Sequence, residues 1–167
     1  MKSVLSDHKR LAPLLSGAMA VAVTACAPQQ SVDRDAEIAA VERAIDGTIA
    51  WARTKDFDWL YGIIANDSAY LEVHPEDRVV KGFHEFRRME EFWASPDFRA
   101  IRHEIRDLQI TLSRSGDVAW FFCMLDDINE WQGQPVSWIN ARWTGVLEKR
   151  DGKWIMVQMH FSNPVQG

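Results

Sequence analysis

Two cysteines, two tyrosines and six prolines are all that the 167 residues contain of those types. The chain has no basic excess either: 19 Lys+Arg stand against 24 Asp+Glu, a formal net charge of −5. Each shortage excludes something. An acidic chain is a poor match for a nucleic-acid backbone, so no nucleic-acid partner is expected. Two cysteines permit one disulfide at most. The five histidines are scattered without the multi-ligand spacing of a zinc site, so neither a metal nor a cofactor is expected. The apolar run Leu11 to Val23 is too short to cross a bilayer as a helix. No repeat and no low-complexity segment is present.

What is present begins with an address. Lys2, Lys9 and Arg10 precede the short apolar run, and Val23-Thr24-Ala25-Cys26 follows it, the layout of a secretory signal. Val-Thr-Ala-Cys also resembles a bacterial lipobox, which implies cleavage before Cys26 and a lipid on its sulfur. The expected organisation is a lipoprotein signal peptide over 1–25, a lipid-anchored tether over 26–34 and a folded domain over 35–167. Several acyl chains hold a protein to a membrane where one would not. Ala27, in place of an Asp that favours inner-membrane retention, points to an outer-membrane anchor facing the periplasm. Lipidation of Cys26 leaves Cys123 alone in an apolar run, where a buried inert thiol is expected.

Local pattern then orders the domain. Ile38, Val41, Ile45, Ile49 and Ala52 recur at helical spacing, with Asp33, Asp35 and Glu37 near the start. Asp56 can cap a second, shorter helix carrying Phe57, Leu60, Tyr61 and Ile64. Residues 69–74 alternate as a strand with Tyr70, Glu72 and His74 on one face. Residues 78–81 form a possible partner strand. Gly82 opens a third helix with Phe83, Phe86, Met89, Phe92 and Trp93 inward, and Ser95-Pro96 ends it. Residues 99–112 read as a long strand whose parity changes near Arg106-Asp107, the mark of a bulge. Residues 118–127 are apolar on both faces and read as a central strand covered twice. Asp151-Gly152 turns a closing hairpin. A two-residue loop would set His160 opposite Trp143. A three-residue loop with Gly152 in a bulge would set Phe161 there and gather the apolar residues on one face, so the second register is preferred. Helices followed by strands point to an α+β fold, helices packed on one face of a curved antiparallel sheet.

The chain resembles the nuclear transport factor 2-like superfamily, in its SnoaL-like branch. The resemblance rests on Ala50-Trp51-Ala52-Arg53 with Asp56 and Trp59, on Val79-Val80-Lys81-Gly82, on Arg142-Trp143-Thr144-Gly145-Val146-Leu147, and on Asp151-Gly152-Lys153-Trp154 with His160-Phe161-Ser162. It implies a cone-shaped sheet wrapped around three helices, a pocket at the open end, and a homodimer built on the outer sheet face. The superfamily hosts isomerases, cyclases, dehydratases and binding modules, so the fold does not name a reaction. The kinase association domain of the same superfamily has an arginine-rich cleft. Aligned with this chain, those arginines fall on Phe122, Gly145 and Phe161, a departure that speaks against a small carboxylate ligand and for an apolar one.

Candidate residues follow from the chosen register. An apolar ligand would meet Tyr70, Phe86, Trp93, Trp120, Phe122, Trp143, Gly145, Met159 and Phe161, with Gly145 leaving a gap for it. Asp126 shares parity with Trp120, Phe122 and Met124. If these face the interior it becomes a general base; otherwise it is a solvated strand-end acid beside Asp127. Glu72 and His74 form a dyad or a pair of metal ligands, or else a surface pair at a sheet edge, which is preferred. His160 with Ser162 is a base and nucleophile, or a structural pair near a dimer face, again preferred. That dimer face is expected to carry Arg142, Thr144, Trp154, Met156 and His160. The leading function is binding of a small, largely apolar ligand. An enzyme of the isomerase, cyclase or dehydratase type and an envelope interaction module are the alternatives.

Overall fold

The computed structural model describes residues 33–164. The expected signal peptide, most of the expected tether and Cys26 lie outside the described residues. Helix α1 (Arg34–Ala50) starts where the Asp33 side chain accepts a hydrogen bond from the Ala36 amide, which satisfies one of the free N–H groups of the first turn. It buries Val41, Ala44, Ile45 and Thr48 and passes into a 3-10 turn (Trp51–Arg53). Helix α2 (Phe57–Tyr61) is capped by Asp56, whose side chain accepts from the Trp59 amide at 2.9 Å. The expected third helix is two short ones, α3 (Phe83–Arg87) and α4 (Glu90–Ala94). The break turns Phe92 outward, where it stacks on Trp131 at 4.6 Å.

The strands are β1 (Leu71–Val73), β2 (Val79–Lys81), β3 (Phe98–Leu112), β4 (Val118–Trp131), β5 (Gln134–Pro135), β6 (Trp138–Arg150) and β7 (Lys153–Ser162). They form one seven-stranded sheet in the order β2-β1-β7-β6-β4-β3, with β5 on β4. β1 joins β7 in parallel, and the other pairs are antiparallel. This is the expected α+β architecture, a curved sheet wrapped around the N-terminal helices. The curvature has local causes. Register shifts lie between Arg106 and Gln109 in β3, as the parity change predicts, and between Leu125 and Asp127 against β6. At these shifts Asp107 and Asn140 adopt φ of 53° and 54°, a left-handed conformation that Asp and Asn tolerate better than most residues.

The closing hairpin reaches the expected pairing by a different route. Trp143 faces Phe161 and Gly145 faces Met159, yet the turn is two residues long, with Arg150 opposite Lys153. Asp151 and Gly152 both have positive φ, 49° and 79°, the geometry a tight twisted hairpin needs. The extra residue sits inside β7, at the shift that separates the Val146–Gln158 pair from Leu147–Met156. Parity therefore changes there, and Trp154 and Met156 enter the core instead of the outer face. Strand β4 is central but covered once. Ala119, Phe121, Cys123 and Leu125 are buried, while Trp120 is 48% exposed on the opposite face.

Candidate functional site

The cone encloses a pocket of about 450 Å³, within the range of small-molecule sites. Its apolar wall comes from Trp51, Phe86, Met89, Trp93, Phe98, Met159 and Phe161. Phe86 lies 5.1 Å from Trp93, and Trp93 meets Trp51 edge-on at 5.4 Å, so the helical side is a continuous aromatic surface. Trp138 closes the sheet side, 4.8 Å from Phe161. The bulge at Asn140 makes this possible, because it pairs Trp138 with Asp127 and turns both into the cone.

The polar groups converge from two strands. β1 lies beside β7 with Glu72 opposite Met159, and strand alternation puts Tyr70, Glu72 and His74 on the concave face. The Tyr70 hydroxyl donates to Glu72 Oε2 at 2.7 Å, and Glu72 Oε1 lies 3.1 Å from His74 Nε2. That second contact is close but poorly aligned, and His74 Nε2 is left buried without a hydrogen-bond partner. Burial, and then the adjacent Glu72 charge, push the Tyr70 hydroxyl well above its ordinary pKa, so it remains a donor. The His74 ring is held edge-on by Trp138 at 5.7 Å, and its backbone N–H donates to the Arg78 carbonyl. From β4, Asp127 and Asn129 also line the pocket. Burial raises the Asp127 pKa above the usual carboxylate value, with the Asn129 side chain and the His103 charge pulling the other way. Asn129 Oδ1 is buried and unpartnered.

Of the residues expected at the ligand, the structure brings together Phe86, Trp93, Met159 and Phe161. Tyr70 stands behind them as the buried partner of Glu72. Trp143 is fully buried one layer deeper, stacked on Phe161 at 5.4 Å. Gly145 offers no gap: a Cβ there would lie 2.5 Å from Phe121 Cε1 and 2.6 Å from the Gln158 carbonyl oxygen. Trp120 and Phe122 lie on the outer face, because the odd positions of β4 are the buried ones. Asp126 follows the same parity. It accepts from Arg106 at 2.8 Å and from the Asn140 amide at 2.7 Å, and these bonds hold its carboxyl below the usual range, the reverse of a general base. His160 is exposed on the outer face. Glu72 and His74, expected as a surface pair at a sheet edge, instead lie at the pocket wall, the first buried and the second half-buried. Asp127 was legible as the next odd position after Cys123 and Leu125, but a second acid at a strand end reads as solvated.

The sequence profile of the SnoaL-like domain matches residues 41–166. No curated protein is similar enough to count as a relative. Among solved structures, a proposed dehydratase of the nuclear transport factor 2-like family from Streptomyces avermitilis is 18% identical. That match covers 80% of this chain and 99% of the other at a TM-score of 0.65. A hexachlorocyclohexane dehydrochlorinase is 19% identical over 81% of this chain and 93% of its own, TM-score 0.64. A proposed calcium/calmodulin-dependent kinase II association domain from Exiguobacterium sibiricum is 7% identical over 79% and 96%, TM-score 0.62. Identities this low compare folds only.

Proposed function

The chain belongs to the SnoaL-like domain family, and on that footing we propose that it is a proton-transfer enzyme of the dehydratase or isomerase type acting on a small, largely apolar substrate. One observation carries the reading. A buried Tyr70–Glu72 pair braces His74, whose Nε2 lies 3.1 Å from Glu72 Oε1, at the wall of an apolar pocket. The His74 imidazole takes a proton from a substrate carbon at the nitrogen turned away from Glu72, and Glu72, beside Nε2, stabilises the imidazolium that results. The C–H electron pair then forms a double bond as a leaving group departs, or a proton returns at another carbon. Asp127, whose burial favours the protonated form, is placed to protonate a departing hydroxyl. Two of the similar folds, a proposed dehydratase and a dehydrochlorinase, carry names of elimination chemistry and support this reading over simple binding.

The test is proton exchange. Neutral apolar ketones such as tetralone, incubated with the protein in D2O, should gain deuterium at the α-carbon by NMR. His74→Asn should slow the catalysed rate by roughly 10²-fold or more. No exchange with wild type, or an unchanged rate in the variant, would overturn the reading.

The envelope address and the assembly are part of the same proposal. Val23-Thr24-Ala25-Cys26 supports lipidation of Cys26 and an outer-membrane anchor facing the periplasm. Cys26→Ser should release exported protein into the soluble fraction, and unchanged membrane partitioning would remove the anchor. The proposed assembly is a homodimer through the outer sheet face.

A further inference from the structure

Charge in the pocket is sorted by depth. Its carboxylates are interior: Glu72 is 5% exposed, and Asp127 lies beside the buried Asn129. Its guanidiniums are at the mouth, where Arg78 and Arg88 line the pocket and are both exposed. Arg43, Arg53 and Arg114 also lack an ion pair among the described residues, but none of them lines this pocket, and several other arginines are held by carboxylates. Arg87 meets Glu90, Arg99 meets Glu130, Arg106 meets Asp126, and Arg150 meets both Asp67 and Glu148. In a chain with an acidic excess, Arg78 and Arg88 have no ion pair and no side-chain hydrogen bond among the described residues.

Resting on the pocket reading above, we infer that the substrate is an amphipathic anion. Its apolar body packs against Phe86, Trp93 and Phe161, and a carboxylate at one end is held at the mouth by Arg78 and Arg88. The opposite orientation is disfavoured by physics. A carboxylate carried inward would lose its water and meet the Glu72 carboxylate in a low-dielectric wall. At the mouth it keeps part of its hydration and gains charge-assisted hydrogen bonds. The polarity also orients the molecule, since seating the anion outside leaves the carbon skeleton against His74. The departure from the arginine-rich cleft is consistent with this: the interior positions Gly145 and Phe161 are not cationic, and the cations come instead from the β1–β2 connection and the start of the α3–α4 break.

The experiment compares phenylbutyrate with its neutral amide, phenylbutyramide, by calorimetry and by quenching of tryptophan fluorescence, since Trp51, Trp93 and Trp138 line the pocket. Phenylbutyrate should bind at least about tenfold more tightly, and added salt should narrow the gap because the mouth is exposed. The double variant Arg78→Gln/Arg88→Gln should erase the preference and keep amide binding. Equal binding of the two compounds by wild type would overturn the inference, as would a preference that survives in the double variant. Both results leave the proton-exchange reading standing, because its test uses neutral ketones. Exchange failing while the preference holds would sink that reading alone.

Discussion

Asp127 shows what the pocket costs the folded state. Burial raises its pKa above 3.8, so the folded protein retains a proton that the unfolded chain has already released. The window opens at the unfolded value and closes at the raised folded one. Within it stability falls as pH rises, and above it the whole penalty is present. Asp127→Asn removes the titrating group while keeping the shape. The variant should be the more stable protein near pH 7, with the difference shrinking as pH falls through the window. Urea denaturation from about pH 4 to pH 7 reads both quantities. Glu37, Asp67 and Asp126 are shifted the opposite way by Lys149, the Ala69 amide and Arg106 respectively. Their contributions are lost as pH falls through their folded values. They are common to both proteins and cancel in the comparison. A stability difference that ignores pH would mean that Asp127 titrates alike in the folded and unfolded states, so that burial does not raise its pKa.

At the level of elements, β6 and β7 show what local pattern reveals and where it stops. The Asp151-Gly152 turn and the strand alternation are properties of neighbouring residues, so both are readable from sequence. The bulge in β7 is not, because its cause lies elsewhere in the chain. Met156 donates its N–H to the Ile63 carbonyl and accepts from the Ala65 amide, whereas from Gln158 onward the same edge of β7 belongs to β1. The extra residue, Val157, lies at that hand-over. The same non-local packing hid the site. Glu72 lies in a three-residue strand and Asp127 beside a second acid, and only the three-dimensional path of β1 and β4 shows that the first is buried and the second half-buried at the pocket. Gly145 makes the point quantitatively. Periodicity suggests empty space beside it, but Phe121 already fills that space, 2.5 Å from where a Cβ would stand. Gly145→Ala should therefore cost about 1–3 kcal/mol through overpacking, visible as a lower thermal midpoint. An unchanged midpoint would mean that both the Phe121 ring and the Gln158 carbonyl, 2.6 Å from the same point, move aside without cost.

The whole molecule has an inside shaped for a small ligand and, among the described residues, an outer sheet face left open. Among the described residues no helix covers the outer sheet face, where Trp120 is 48% and Ile139 is 53% exposed, with Phe122 and Met124 half-buried on the same face of β4. Arg142, Thr144 and His160 share that side; Trp154 and Met156 do not. Large apolar groups framed by polar ones are the make-up of an interface core and rim. A face that meets its own copy across a two-fold axis needs no second surface to match it. The expected state is thus a symmetric homodimer with Trp120 near its centre. Sedimentation equilibrium at micromolar concentration should give twice the monomer mass. Trp120→Glu should shift the protein to monomer, because a carboxylate at the centre of the contact would be buried opposite its own symmetry mate. An unchanged far-UV spectrum would show that the fold survives, since Trp120 contributes nothing to the core. A wild-type protein that remains monomeric at these concentrations would rule out this interface, and a Trp120→Glu dimer would move it to another face.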